Sequence, residues 1–167
     1  FLRLENAGRE LGLNLYIKRD DMTGVSLGGN KVRKLEFLLA DAMKQGCDTV
    51  LTTGGAQSNH AMLTAASCKR LGLTPILVLK GRGVMEQKGN LLLNALMGVD
   101  VRFVDTDSYD EVYAEMDKLA TELREAGKKP YLIPVGGSVP LGVLGYVNCA
   151  AELFSQAEKE GVRLDRI

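Results

Sequence analysis

Between residues 48 and 135 the chain alternates short apolar runs with helical patterns, and this alternation narrows the folds open to it more than any other feature. Residues 48–53 read as a buried strand through Thr49, Val50, Leu51 and Thr52. Residues 74–80 form a second, centred on Ile76, Leu77 and Val78, and residues 101–104 and 131–135 a third and a fourth. Between them lie helical patterns with recognisable starts and stops. Ser58 or Asn59 caps a helix that runs to Leu71, with Gly72 at its end. A shorter helix over 90–97 stops at Gly98. Asp107 or Ser108 caps an amphipathic helix with Val112, Met116, Leu119, Ala120 and Leu123 on one face and Gly127 past its end. Strands that alternate with helices imply right-handed βαβ units, hence an α/β fold with a doubly wound parallel sheet in three α/β/α layers.

The flanks fit that unit less neatly and read as pieces of a second domain. Residues 1–11 look like a helix or turn, and Leu15, Tyr16 and Ile17 like a short strand leading into the charged turn Lys18-Arg19-Asp20-Asp21. A glycine-rich turn, Gly28-Gly29, then precedes a helix with Val32, Leu35, Leu38, Leu39 and Ala42 at helical spacing. Asn30 is the expected N-cap and Gly46 the expected stop. Gly81 to Gly89 reads as a loop. After the fourth strand, Gly136-Gly137-Ser138 and Gly142 read as a loop. A final helix carries Val147, Ala150, Ala151 and Phe154.

Composition excludes several classes of function. Lys plus Arg and Asp plus Glu both number 21, so nothing favours nucleic acid or an anionic membrane. No apolar run reaches the length of a membrane span, and the first residues carry no signal-peptide pattern. They also lack an initiator Met, so the start of the natural chain is expected to be missing. Three cysteines at irregular spacing argue against a disulfide framework and suit a reducing, cytoplasmic setting. His60 is the one histidine, which excludes a multi-histidine metal site within the chain.

Two stretches carry candidate chemistry. In the first, the glycine turn delivers Lys31 to a helix start. A cation there opposes the helix dipole, which favours the neutral amine that attacks carbonyls. A solvated surface lysine is the plain alternative. A phosphate-binding P-loop is not, because Asn30 follows Gly29 and Val32 follows Lys31. The second stretch, Thr52-Thr53-Gly54-Gly55-Ala56-Gln57-Ser58-Asn59-His60, joins a strand end to a helix start. Ligands of open parallel sheets bind beyond the carboxyl ends of the strands, and helix N-termini attract anions such as carboxylates. Plain capping by Ser58 and Asn59, and a structural His60, are the alternatives. A serine-hydrolase elbow is absent, since Ala56 and His60 stand where glycines are needed.

Taken together, Gly28-Gly29-Asn30-Lys31-Val32-Arg33-Lys34-Leu35-Glu36-Phe37 and Gly54-Gly55-Ala56-Gln57-Ser58-Asn59-His60 resemble the D-cysteine desulfhydrase and 1-aminocyclopropane-1-carboxylate deaminase family. These are fold-type II pyridoxal-phosphate enzymes, relatives of the tryptophan synthase β subunit. Tyr16 to Asp21 and Ile133-Pro134-Val135-Gly136-Gly137-Ser138, with Gly142, Gly145 and Tyr146, carry the likeness further. The resemblance implies pyridoxal 5'-phosphate as cofactor, bound by Lys31 as a Schiff base, with Lys31 then moving the α-proton. It implies that Asn59 hydrogen-bonds the cofactor's phenolic oxygen. Ser58, Asn59 and His60 would hold the carboxylate of a small amino-acid substrate, and Ser58 would also handle a proton. His60 resembles the desulfhydrase side, where the deaminases have Gln; Met62 and Leu63 depart from the family's more frequent Arg-Gln. The implied reaction is α,β-elimination of D-cysteine to pyruvate, ammonia and hydrogen sulfide, with deamination of 1-aminocyclopropane-1-carboxylate as the alternative. A non-catalytic α/β module that binds a small carboxylate is the reading from another class.

Members of that family are about twice as long. The resemblance therefore implies that residues 1–33 begin a large cofactor domain, 34–143 form a small α/β domain, and 144–167 start the return to the large one. It puts the phosphate-cradling loop and the catalytic tyrosines after residue 167. It also implies a homodimer for the full-length parent, with no nucleic-acid or membrane partner, and weak or no cofactor binding and no turnover for 167 residues alone.

Overall fold

The computed structural model describes residues 1–82 and 86–167. The loop expected over residues 81–89 thus falls partly outside the described residues. Four parallel strands form the central sheet: β3 (Thr49–Gly55), β4 (Thr74–Lys80), β5 (Asp100–Val104) and β6 (Pro130–Ile133), in the order β5-β4-β3-β6. Leu51 sits opposite both Ile76 and Leu132, which fixes the register of β4, β3 and β6.

Helices cover both faces, so the three-layer α/β expectation holds. The helices α2 (Val32–Lys44), α3 (Asn59–Leu71) and α4 (Gly89–Leu96) pack on one face, and α5 (Tyr109–Glu125) on the other. Successive side chains of a strand point to opposite faces. Val50 accordingly meets Leu38, Leu39 and Met62, while Leu51 meets Val112, Met116 and Leu119. The chain steps from β3 to β4 to β5 in one direction through α3 and α4. It then returns past β3 to reach β6 through α5. A connection of constant hand that runs the opposite way lies on the opposite face, which is why α5 stands alone there.

Several boundaries differ from the sequence expectation. Gly54 and Gly55, expected in the turn, still belong to β3, because they pair with Leu79 and Lys80. The strand expected to reach Val135 ends at Ile133; Pro134 has no N–H for a ladder, and residues 135–137 form a single 3₁₀ turn. Gly142, expected in a loop, lies inside α6 (Pro140–Lys159), whose proline takes the first helical position. Gly142 and Gly145 let α6 lie against α2: a Cβ on Gly145 would strike the Arg33 carbonyl. Val147, Ala150, Ala151 and Phe154, expected in the final helix, do lie in α6 and are exposed.

The N-terminal segment holds a two-stranded antiparallel pair, β1 (Leu2–Arg3) with β2 (Tyr16–Ile17), around α1 (Glu5–Leu11). Residues 1–3, expected as helix or turn, are thus strand and lead-in. Ion pairs tie this segment to the body. Arg33 of α2 bonds Asp20 at 2.6 Å and Glu152 of α6 at 3.0 Å, and Lys18 reaches Glu152 at 2.9 Å. These bonds hold the Glu152 carboxyl at a pKa of about 2. No helix of the described residues is long and apolar enough to cross a membrane.

Candidate active site at the carboxyl end of β3

Three strand-end connections converge on the turn between β3 and α3. The first is the turn itself. Ser58 is the N-cap of α3, and its hydroxyl accepts from the Ala61 amide at 3.2 Å. Gly54 is required for this: a Cβ there would stand 2.5 Å from Ser58 Oγ and 2.6 Å from its Cβ. The amides of Asn59 and His60 lie in the first helical turn, where an α-helix leaves N–H groups without internal acceptors. A Cβ on Gly55 would meet nothing within 4 Å, so the space beside the turn is open.

The second connection follows β6, which pairs with β3. A Cβ on Gly137 would lie 3.4 Å from His60 Cε1 and 3.0 Å from Leu38, so the 3₁₀ turn closes over the histidine. His60 is 3% exposed. Its Nε2 lies 2.9 Å from Thr52 Oγ1, and Thr52 Oγ1 donates to the Ile133 carbonyl at 2.8 Å. A carbonyl only accepts, so the one hydroxyl proton is used there and His60 Nε2 donates to Thr52. Nδ1 is then left with the lone pair and lacks a partner of good hydrogen-bond geometry among the described residues, with the Pro134 carbonyl near the ring acting weakly against the lowering of its pKa. Burial, reinforced by the charges of Lys31 and Lys34, lowers the His60 pKa to about 4. The imidazole is thus neutral at pH 7 and its unused nitrogen is an acceptor. The backbone N–H of His60, in the first turn of α3, is a donor available to a carboxylate.

The third connection is the segment before α4. Gln57 Nε2 donates to the Lys88 carbonyl at 3.0 Å, and the Asn90 amide donates to Gln57 Oε1 at 2.8 Å.

Lys31 stands beside this turn at the N-terminus of α2. Gly28 and Gly29 both have positive φ, at 78° and 145°, a region closed to most side chains. A Cβ on Gly29 would enter Leu63 of α3, so α2 begins in contact with α3. Thr23 Oγ1 fixes Gly29 from both ends, bonding its carbonyl at 3.0 Å and its amide at 3.1 Å. Lys31 itself, not Asn30, is the N-cap residue, and its carbonyl accepts from Leu35 at 3.0 Å. Asn30 instead donates to the Tyr146 hydroxyl of α6 at 2.6 Å. Tyr146 is one of several residues here whose part the sequence did not reveal. Lys34, one turn beyond Lys31 and 9% exposed, donates to Ser138 Oγ at 2.8 Å and lies 5.7 Å from the Tyr146 ring centroid. Its pKa is pulled down by burial and by the charge of Lys31. Two open depressions lie along the N-terminal segment; the one of about 630 Å³ reaches Gly29 and Asn30.

Comparison with known proteins places this parallel α/β layer fold in a class of cofactor enzyme. The family described as pyridoxal-phosphate dependent enzyme matches residues 1–167, and the chain belongs to it. A Pyrococcus abyssi protein, provisionally named a 1-aminocyclopropane-1-carboxylate deaminase, is 49% identical over 98% of this chain and 49% of its own length. A D-cysteine desulfhydrase of Yersinia pestis is 46% identical over 93% of this chain and 48% of its own. A crystal structure of a homologue of 1-aminocyclopropane-1-carboxylate deaminase superposes with a TM-score of 0.89 at 48% identity, over 93% of this chain and 47% of that one. A threonine deaminase structure, at 22% identity and a TM-score of 0.68, shares the fold. The chain spans about half the length of these relatives.

Proposed function

We propose that this chain is the lysine-bearing half of a pyridoxal-phosphate lyase acting on a small amino acid, with D-cysteine as the substrate and pyruvate, ammonia and hydrogen sulfide as products. The observation that carries this reading is the meeting of two helix starts. Gly29, two residues before Lys31, packs on Leu63 of α3, and the Lys31 charge is felt at His60, in the helix start where Ser58, Asn59 and the His60 amide collect.

The donor set fits the cofactor. A primary amine suits an aldehyde, an amide N–H₂ suits a phenolic oxygen, and helix-start amides suit a carboxylate. The open space beside Gly55 leaves room for a flat ring. Lys31 would hold the cofactor through its amine and, once released from it, take the proton from the substrate Cα. Asn59 would bind the phenolic oxygen. The amides of Asn59 and His60, with the dipole of α3, would orient the substrate carboxylate. The Ser58 hydroxyl accepts from Ala61 and keeps its own proton to give or exchange. His60, neutral and bonded to Thr52, would act by shape and as an acceptor beside Lys31 and Lys34. When bound, pyridoxal phosphate supplies the electron sink that makes the Cα proton acidic.

A second reading keeps every one of these roles and changes the substrate to 1-aminocyclopropane-1-carboxylate. The identity to the Pyrococcus protein favours it as much as the identity to the Yersinia enzyme favours the first. Sulfide release from D-cysteine and ammonia release from the cyclopropane, measured on the full-length protein, separate the two. Turnover of D-cysteine alone supports the first reading. Turnover of the cyclopropane alone overturns it, and turnover of neither overturns both.

A further inference from the structure

The amide of Asn59 points one way round, and a residue outside the two sequence stretches sets that direction. Asn90, the second residue of α4, donates from Nδ2 to the Gln57 carbonyl at 2.9 Å and to Asn59 Oδ1 at 2.7 Å. Side-chain amides are assigned from their neighbours, and here the neighbours decide. The Gln57 carbonyl is a backbone acceptor, so the end of Asn90 facing it is N–H₂. Both hydrogens of that group are then used, and the Asn59 atom facing it must be the oxygen. Gln57 is fixed by the same logic: its Oε1 takes the Asn90 backbone N–H and its Nε2 gives to the Lys88 carbonyl. Gly89 makes room for this clamp. Its φ is +55°, and a Cβ there would strike Gln57 Oε1.

We infer that Asn90 is a positioning residue for the cofactor: it holds the Asn59 oxygen toward α4 and so leaves the Asn59 N–H₂ as the donor offered to the site. This rests on the reading above, in which Asn59 meets the cofactor's phenolic oxygen. It deepens that reading by naming which atom of Asn59 is offered and what keeps it there. Without Asn90, the Asn59 amide turns freely and shows its oxygen about as often as its nitrogen. With an acceptor at position 90, the N–H₂ turns toward α4 and an oxygen faces the cofactor oxygen.

The test uses the full-length protein with Asn90→Leu, Asn90→Asp and Asn59→Ala. Pyridoxal-phosphate affinity is read by fluorescence titration, and the Asn59 side-chain amide by ¹⁵N NMR. Thermal unfolding identifies any variant that fails to fold. Loss of a hydrogen bond to a charged oxygen weakens binding on the order of 10-fold. Asn59→Ala is expected to lose about that much, Asn90→Leu less, and Asn90→Asp at least as much as Asn59→Ala. The Asn59 amide resonances shift in both Asn90 variants before any cofactor is added. The pH at which bound cofactor changes colour moves as well, a change that a merely structural residue would not cause. If Asn59→Ala weakens binding while both folded Asn90 variants bind as the parent does, the role of Asn90 is refuted. If Asn59→Ala binds cofactor unchanged, the reading of Asn59 fails instead.

Discussion

Replacing Gly54 by alanine tests whether the β3–α3 turn is built around the Ser58 hydroxyl. The new Cβ stands 2.5 Å from Ser58 Oγ and 2.6 Å from Ser58 Cβ, both under the 3.0 Å that real Cβ atoms keep. Rotating the hydroxyl does not relieve the clash, because the Ser58 Cβ is itself too close. The turn must shift, and overpacking of this kind costs about 1–3 kcal/mol. The shift also breaks the Ser58–Ala61 cap, which adds about 1 kcal/mol. Gly54 has no positive φ, so alanine recovers about 0.5 kcal/mol by restricting the unfolded chain. The net loss is about 1.5–3.5 kcal/mol, a fall of several degrees in Tm. Ser58→Gly alone costs a few tenths of a kcal/mol, on the order of 0.3, because glycine is tolerated at an N-cap. Once the Ser58 side chain is gone, Gly54→Ala meets no atom nearer than Ala61 Cβ at 3.9 Å and becomes neutral or slightly stabilising. Urea unfolding of the two single variants and the double variant therefore shows a coupling of about 2 kcal/mol between the sites. Additive costs, with Gly54→Ala as harmful beside glycine as beside serine, refute the reasoning.

The remaining predictions concern the histidine and the seam between α2 and α6. Burial, with Lys31 and Lys34 nearby, holds the His60 pKa at about 4 against 6.5 in the unfolded chain. The unfolded state thus binds more protons between those values, so His60 contributes a loss of stability as pH falls from about 6.5 to 4. Imidazole ¹⁵N NMR is expected to show a neutral ring with the proton on Nε2 down to about pH 5; a midpoint near 6.5, or a proton on Nδ1, contradicts the hydrogen-bond assignment. Gly145→Ala drives a methyl into the Arg33 carbonyl and is expected to cost about 1–3 kcal/mol, measured by thermal unfolding. An unchanged Tm would mean that α6 does not lie against α2 as described.

The sheet was legible in the sequence because its central strands β3 and β4 are covered on both faces. Runs such as Leu77-Val78-Leu79 are apolar throughout, and each residue finds a core on one side or the other. The helices were legible from their caps and their 3.6-residue stripes, and Ser58 and Ser108 indeed cap α3 and α5. What escaped was long-range. Asn30 is a good N-cap by type, yet its amide bonds Tyr146, 116 residues away, and the helix starts without it. Lys34 meets Ser138 across 104 residues, and Asn90 meets Asn59 across 31. No local pattern marks such pairs. Gly142 and Gly145 did carry a signal, small residues three apart that suit a helix packed closely on another, although Gly142 is expected in a loop from its neighbours. The candidate chemistry of Lys31 and of the turn at residues 58–60 was visible as two separate stretches. Their adjacency depends on Gly29 packing against Leu63, a contact that only the fold creates.

The central claim is that Lys31 is the residue that holds pyridoxal phosphate. The most direct measurement loads the full-length protein with the cofactor, reduces it with borohydride, and locates the modified lysine by peptide mass spectrometry. A pyridoxyl group is expected on Lys31, with no labelling of Lys34 three residues on and none anywhere in a Lys31→Ala variant. A label on Lys34, or a Lys31→Ala variant that is reduced and labelled as the parent is, would contradict it.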